Sequence, residues 1–379
     1  MSEVNIRLVN NRRDHRAFIQ LPHAVFAQDP AWIAPLNFER SQHISSRHNP
    51  FFEHARAQLF LATMNGQTVG RISAQIDDLR LARYRDATGM FGFLDSIDDP
   101  GVFSALFKAA EHWLENKGMT RAIGPFSFSI NEETGLLVEG FEHPPVVMTG
   151  HAAPYYQSHV KAAGYQKIKD VLAYDFDNSR ELPRGLARML AKVHVTGDLN
   201  IRPLSKKNLD RDLAILIDIF NEAWTENWGF TPFSAAEIRK LGQDLKMLVE
   251  EEFIAIASYR GEPAAMAVTL PDISRASRGL NGRLLPFGWA KLLLRLKFSP
   301  PEAVRLPLMG VKTKFHGTPL GSALAMSVID AIRTYHVNRG TRRAELSWIL
   351  EDNLPMRRMI EAIGGTAYKT YRIFERNLV

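Results

Sequence analysis

The stretch Gly310–Ala325 reads GVKTKFHGTPLGSALA. An apolar run, Arg305–Val311, leads into it, and small and apolar residues lead out of it. Further on, Leu324, Val328, Ile332 and Tyr335 recur at helical spacing. The pattern therefore reads as a strand, a glycine-bearing loop and an amphipathic helix. The first amides of a helix lack internal partners, and the helix dipole adds to their attraction for an anion. Gly317 and Gly321 allow close backbone approach, and Lys312, Lys314 and His316 add positive charge. An ordinary turn with glycines chosen for sterics fits the same spacing, and the residues alone leave the two readings level.

Outside this stretch the chain repeats itself. VNIRLV (Val4–Val9) resembles LNIRPL (Leu199–Leu204), with the shared Asn-Ile-Arg at Asn5–Arg7 and Asn200–Arg202. FLATMNGQTVG (Phe60–Gly70) and IAIASYRGEPAA (Ile254–Ala265) are both apolar runs broken by a glycine turn, at Gly66 and Gly261, on the same offset. AAGYQKIKDVLAYDF (Ala162–Phe176) and AIGGTAYKTYRIFER (Ala362–Arg376) both read as a helix end, a glycine and a strand. Three matches in one order predict two copies of one α/β fold, each a mixed sheet flanked by helices. The expected division is 1–178 for the first copy, 179–198 for a linker with a short amphipathic helix at Leu186–Val193, and 199–379 for the second. The first copy's long helix follows DSIDDPGVF (Asp95–Phe103), an acidic run that repels phosphate, so only the second copy is equipped for an anion.

Composition bounds the chemistry. The chain has 379 residues, 45% apolar and 23% charged, enough for two globular domains. It has no cysteine, which removes disulfides, thiolate metal sites and a cysteine nucleophile. No metal is expected. The charge of +6 and pI of about 9.4 favour anionic partners. No zinc-finger spacing, RNA-binding signature or long basic run points to nucleic acid. Residues 1–16 lack the apolar core of a secretory signal, and no apolar run reaches the roughly 18 residues of a membrane span. The expected location is the cytoplasm, with peripheral contact at the inner membrane allowed by the segment 282–298.

The opening stretch resembles the acyl-CoA-binding motif of the GCN5-related N-acyltransferases. There a strand ending in Val is followed by (Gln/Arg)-x-x-Gly-x-(Gly/Ala) and a helix. The matching run is His316-Gly317-Thr318-Pro319-Leu320-Gly321. His316 stands for the usual Gln or Arg, and Pro319, which has no N–H, for a glycine. Downstream, ELSWILEDN (Glu345–Asn353) matches the family's next strand and an Asn beside the cofactor. The resemblance implies coenzyme A or acyl-CoA as co-substrate, held by Met309, Gly310, Val311, Lys312, His316, Gly317, Thr318, Leu320, Gly321, Ser322 and Asn353. One active and one degenerate copy in tandem is similar to N-myristoyltransferase and the Fem aminoacyltransferases.

Attack of an amine on a thioester needs a free amine, and freeing a Lys-like ammonium at neutral pH costs roughly 4–5 kcal/mol. A general base is therefore expected. Glu345, a carboxylate on an apolar strand, is the first candidate and Asp352 the second. A structural, hydrogen-bonded carboxylate fits each as well. His316 is a further candidate base, and Tyr371 a donor to the leaving thiolate. The terminal carboxylate of Val379 serves if the tail folds inward.

Two stretches suit the substrates. Asn221–Phe233 gathers Trp224, Asn227, Trp228 and Phe230 as a lipid pocket or as plain core. Phe126–Phe141 sets Asn131, Glu132 and Glu133 after an apolar strand, where paired carboxylates meet a cationic amine or simply face water. GRLLPFGWAKLLLRLKF (Gly282–Phe298), with Trp289, reads as a membrane-contact helix, an acyl gate or an interface helix. At full length the chain resembles bacterial acyltransferases of the superfamily that act as ceramide synthases, through Gly124–Phe141, NWGF (Asn227–Phe230), LLPFGW (Leu284–Trp289) and ELSWILEDN. That implies transfer of a long acyl group from acyl-CoA or acyl carrier protein to a sphingoid base, sphinganine or 3-ketosphinganine. An amino acid or cell-wall precursor as acceptor, and a non-catalytic acyl-CoA or lipid binder, are the alternatives.

Overall fold

The computed structural model describes residues 3–378 apart from 182, 184, 186–196 and 299–300. The expected helix Leu186–Val193 and the terminal Val379 lie outside the described residues. The chain forms two compact units that are not consecutive in sequence. The first gathers Met1–Leu172, Ser277–Leu292 and Tyr368–Val379; the second gathers Ala173–Ala276 and Leu293–Ala367.

In the first unit, β1 (Val4–Leu8), β2 (Ala55–Met64), β3 (Gln67–Asp77) and β4 (Thr88–Ser96) form an antiparallel meander. β4 then pairs in parallel with β5 (Arg121–Gly124). β6 (Phe126–Ser127) and β7 (Glu133–Thr134) make a separate short ribbon. β5 and β8 (Leu136–Glu139) both pair with the chain's last strand, Thr366–Asn377 (β15 in chain order). The helices Arg12–Val25 and Pro100–Glu115 cover this sheet. An aromatic cluster of Phe18, Phe51, Phe93 and Phe128, each at most 4% exposed, fills part of the core.

The second unit repeats the plan. It begins within β9 (Gln166–Asp177), at Ala173. β10 (Leu199–Pro203), β11 (Ile254–Tyr259), β12 (Glu262–Pro271) and β13 (Ala303–Val311) form the antiparallel meander. β13 pairs in parallel with β14 (Arg343–Leu350). The likeness extends to detail. Both first hairpins turn on two left-handed residues, Asn65-Gly66 and Arg260-Gly261, the geometry of a type I′ turn. The register then slips at equivalent places, Ala62/Thr63 in one hairpin and Ala257/Ser258 in the other, on the offset of the sequence repeat.

The helix Pro319–Asn338 packs on β10 to β13. Alanines at 255, 257, 264, 265 and 267 present a low surface, and Leu324, Val328 and Ile332 seat on it. The first three residues of the predicted apolar face are buried, while Tyr335 reaches outward to bond Glu250. The helix starts at Pro319, because Thr318 caps it and proline is compatible with its first turn.

Candidate functional site

The second unit's strand-to-helix junction carries the geometry. β13 and β14 pair only from Ala303↔Arg343 to Leu306↔Leu346. Both strands run on past that point, to Val311 and Leu350, so their C-terminal ends splay. β13 keeps its other neighbour, β12, as far as Val311↔Ala265.

Backbone alternation fixes which groups face the splay. The Lys312 N–H donates to the Ala264 carbonyl at 2.9 Å, so Gly310, two residues earlier, also points its polar groups at β12. Met309 and Val311 point theirs the other way. Their carbonyls are in use: the Trp224 indole N–H donates to Met309 O at 3.0 Å, and His316 Nε2 lies 2.7 Å from Val311 O. Their N–H groups face the open side. Two amides one strand repeat apart can stabilise charge on a carbonyl oxygen or pair with an amide-bearing chain.

Beyond the strand the loop is wound tightly. The Thr318 hydroxyl donates to Phe315 O at 2.8 Å and accepts from Gly321 N at 3.0 Å. A Cβ on Gly321 would lie 2.1 Å from Phe315 O, so glycine is needed there for the loop's own packing. Pro319 contributes no N–H, and Ser322 N donates to Thr318 O. Among the described residues, that leaves the amides of Gly317 and Leu320 without an acceptor. Gly317, with a φ of +69° and nothing within 4 Å of an added Cβ, is open to a ligand.

The loop cations are matched by carboxylates. Lys312 Nζ lies 2.7 Å from Asp218 and 3.6 Å from Glu222, and this bonding to Asp218 raises its pKa. Glu222 also accepts from the Thr313 N–H and hydroxyl, both at 2.8 Å. Lys314 pairs with Glu262 at 2.6 Å. The residues fit a coenzyme A diphosphate at a long helix's N-terminus, with fewer free amides and less free positive charge than the motif suggested.

Glu345 sits on β14 just before the splay, 4% exposed. It accepts from the Ser347 hydroxyl at 2.6 Å and lies 3.8 Å from Nε of the fully buried Arg305. Arg305 stacks over the Trp348 ring at 4.5 Å. Asp352 lies on the exposed turn after β14. Asn353 caps the helix Leu354–Ala362 by accepting from Met356 N. Trp224, Phe230 and Phe233 pack around Phe220, with ring centroids 5.2–5.5 Å apart, while Asn227 closes a turn with Trp224 and Phe230. Phe220 was missed because it lies upstream of the aromatic run, one helical turn before Trp224.

Trp228 is half-buried in the second unit, and the other remaining predicted residues belong to the first. Tyr371 is fully buried on β15, with its Cβ against Gly135. Glu132 accepts from Phe128 N at 2.7 Å and lies 3.1 Å from His43, while Glu133 lies 2.6 Å from Arg40. Burial pushes His43 down, but Glu132 outweighs it and the imidazole titrates above its ordinary value. Burial likewise opposes Glu132, and His43 with the Phe128 and Ser129 amides holds it down. The Asn131–Glu133 loop is thus a charge-matched block, with Arg40 and His43 supplied by the helix Asn37–His43. Nothing in the spacing of those residues announces the pairing, which is a tertiary contact between segments far apart in the chain. Trp289, 53% exposed, bonds only locally, to Pro286 O.

Among the described residues no group of His, Asp and Glu side chains could hold a metal ion, and no helix is long and apolar enough to cross a membrane.

No family model matches the chain. It is 43% identical over 378 residues to the bacterial ceramide synthase of Caulobacter vibrioides, covering 100% of this chain and 98% of that protein. It is also 43% identical over 378 residues to protein YghO of Escherichia coli, covering 98% and 95%. Among solved structures, a tandem GNAT protein from the clavulanic acid biosynthesis pathway superposes with a TM-score of 0.61 at 12% identity, over 100% of this chain and 99% of that one. A GCN5-related N-acetyltransferase from Sphaerobacter thermophilus gives 0.54 at 12% identity, over 99% and 96%. The doubled α/β fold is therefore that of a tandem GCN5-related N-acyltransferase, and the chain belongs to the family of the bacterial ceramide synthase.

Proposed function

We propose that this protein is an N-acyltransferase that moves a long acyl group from a coenzyme A thioester to the amine of a sphingoid base. The full-length 43% identity to a ceramide synthase carries the reading. The splayed β13 supports it, because its Met309 and Val311 amides face away from β12 on the open side and can serve as donors to a thioester carbonyl. Only the second unit takes the donor in this reading, and the first is a degenerate copy. The diphosphate lies against the Gly317 and Leu320 amides at the start of the helix Pro319–Asn338, with its attraction supplied by the helix dipole. Coenzyme A supplies the activated thioester, and the chain's own residues do the rest.

The deprotonation falls to Asp352, the exposed carboxylate beyond the splay. The amine nitrogen then attacks the thioester carbonyl carbon, the C–N bond forms and the C–S bond breaks. Charge on the carbonyl oxygen is met by the β13 amides, and the thiolate takes up the proton shed by nitrogen. Glu345, already engaged by Arg305 and Ser347, is a positioning residue that fixes the root of the splay. The segment 282–298 brings the protein to the lipid surface where the acceptor resides.

The test feeds the purified protein labelled long-chain acyl-CoA, or the matching acyl carrier protein, with sphinganine, 3-ketosphinganine and a panel of amino acids in mixed micelles. N-acyl sphingoid product is expected, with Asp352→Asn lowering kcat about 100-fold, in line with loss of a general base. Product only with amino acids, or tight coenzyme A binding without turnover, defeats the reading.

A further inference from the structure

Four large apolar side chains of the first unit stand in solvent close together in sequence or structure. Leu285, Phe287 and Trp289 are 80%, 77% and 53% exposed. Such a run, along one turn and the helix Gly288–Phe298 that follows it, is not the isolated surface leucine common to all proteins. The fourth, Phe38, is 61% exposed and comes from a distant part of the sequence.

The structure ties Phe38 to the others. The Asn37 N–H donates to Gly282 O at 2.9 Å, and Gln20 Nε2 holds the Asn37 side chain at 2.9 Å. A Cβ on Gly282 would lie 2.8 Å from Pro35 O, so the two backbones touch where only glycine fits. Both segments belong to the first unit. The turn at 282–287 is therefore seated on the 35–38 segment with its apolar side chains left outside.

Along the 283–292 segment the charge has one sign, and beside Phe38 the Glu39 carboxylate is answered by Arg40 at 2.7 Å. Between Asp272 and Glu302 the sequence holds Arg275, Arg278, Arg283, Lys291, Arg295 and Lys297 and no acidic residue. Arg275 is matched by Asp272 at 3.0 Å, and Arg295 donates to Ala276 O at 2.6 Å. Arg283 and Lys291 stand exposed beside the apolar tips. Aromatic and leucine side chains projecting past lysine and arginine is the arrangement of a segment lying in a lipid interface, where the rings enter the acyl boundary and the cations meet headgroups.

We propose that Phe38 and the 283–292 segment form one docking face for an anionic lipid bilayer. The inference rests on the reading of the acceptor as an amphiphilic amine, which partitions into membranes. An acidic carrier protein would meet the same cations, but it has no use for four protruding hydrocarbon groups. The bilayer accounts for both the charge and the apolar projection.

The experiment is vesicle flotation of the full chain, without substrate, on phosphatidylcholine alone and on an equimolar mixture of phosphatidylcholine and phosphatidylglycerol. At least tenfold stronger partition onto the anionic vesicles is expected, weakening with salt. The triple variant Leu285→Ser, Phe287→Ser, Trp289→Ser should lose at least tenfold on both vesicles. Phe38→Ser should lose a measurable part of the binding, although it lies outside the 283–292 segment. Arg283→Glu with Lys291→Glu should lose the anionic preference alone. The Trp289 emission, assigned by Trp289→Phe, should shift to the blue on binding. Equal partition of wild type and triple variant, no partition at all, capture of acyl carrier protein without vesicle binding, or a dimer that the triple variant converts to monomer would each overturn the proposal. Vesicle binding without acylation in micelles would instead leave the docking face standing and remove the acyltransferase reading.

Discussion

The two units end the same strand in two ways. In the register of the meanders, Ser96 of β4 pairs with Gly70, and Val311 of β13 pairs with Ala265, the counterpart of Gly70 in the repeat. At Val311 the carbonyl is met by His316 while the N–H faces an open splay. At Ser96 both groups are consumed: Tyr156 Oη accepts from the N–H at 3.1 Å, and the Tyr155 hydroxyl donates to the carbonyl at 2.7 Å. Burial, then Asp95, keeps the Tyr156 phenol well above its ordinary pKa, so it stays a neutral hydroxyl.

The helix starts differ in the same sense. Both have a side-chain cap and a proline in the first turn. Thr318 caps with a neutral hydroxyl. Asp99 caps with a carboxylate that accepts from Gly101 N at 2.7 Å and Val102 N at 3.0 Å. The first unit thus supplies its own anion where the second leaves room for a foreign one. On the reading proposed above, a duplicated fold loses a binding site through a handful of polar substitutions while its sheet and core stay intact.

Thr318→Asp transplants the first unit's cap into the second. A fixed carboxylate at the helix start repels a diphosphate, so coenzyme A affinity should fall about 100-fold, about 2.7 kcal/mol, by calorimetry. Helix content by circular dichroism should be unchanged, since aspartate is a good cap. Unaltered affinity would mean the diphosphate binds elsewhere and the comparison of the two caps has no functional content.

Tyr156→Phe sharpens the other half of the comparison. It leaves the buried Ser96 N–H without an acceptor, which should destabilise the protein by about 1–3 kcal/mol in urea unfolding. Coenzyme A affinity should not move, because the tyrosine's work is to close an unused strand end. A gain of nucleotide binding in this variant would show the first unit to be only plugged.

The smallest effect is expected from Lys314→Ala. Lys314 already pairs with the exposed Glu262, at 51% and 72% exposure, so its loss should weaken coenzyme A less than about twofold. A tenfold loss in a salt series would return the loop lysine to the binding site and make charge, not cap geometry, the difference between the units.

Sequence patterning carries far here because it is local. Period, turn chemistry and the repeat offset place both meanders, the two hairpins on Asn65-Gly66 and Arg260-Gly261, and the loop before the helix Pro319–Asn338. Each follows from residues within a few positions of one another. The motif also locates the splay, since the strand, loop and helix are contiguous.

What the pattern could not supply are the partners of polar groups. Glu345 is tied to Arg305 on the neighbouring strand, Glu132 to His43, and Lys312 to Asp218 on another helix. Charge pairing depends on distances that only chain folding sets, so the same carboxylate reads as a base in the sequence and as a strut in the structure. The division of the chain is equally tertiary, since Ser277–Leu292 and Tyr368–Val379 join the first unit although they lie within the second repeat. Amino-acid order alone determined two copies of one α/β fold and the strand, glycine-bearing loop and helix of the second, because backbone conformation answers to near neighbours. Which amides stay open, which charges are spent and which apolar side chains remain in water were decided by packing, because each depends on what long-range contact brings beside it.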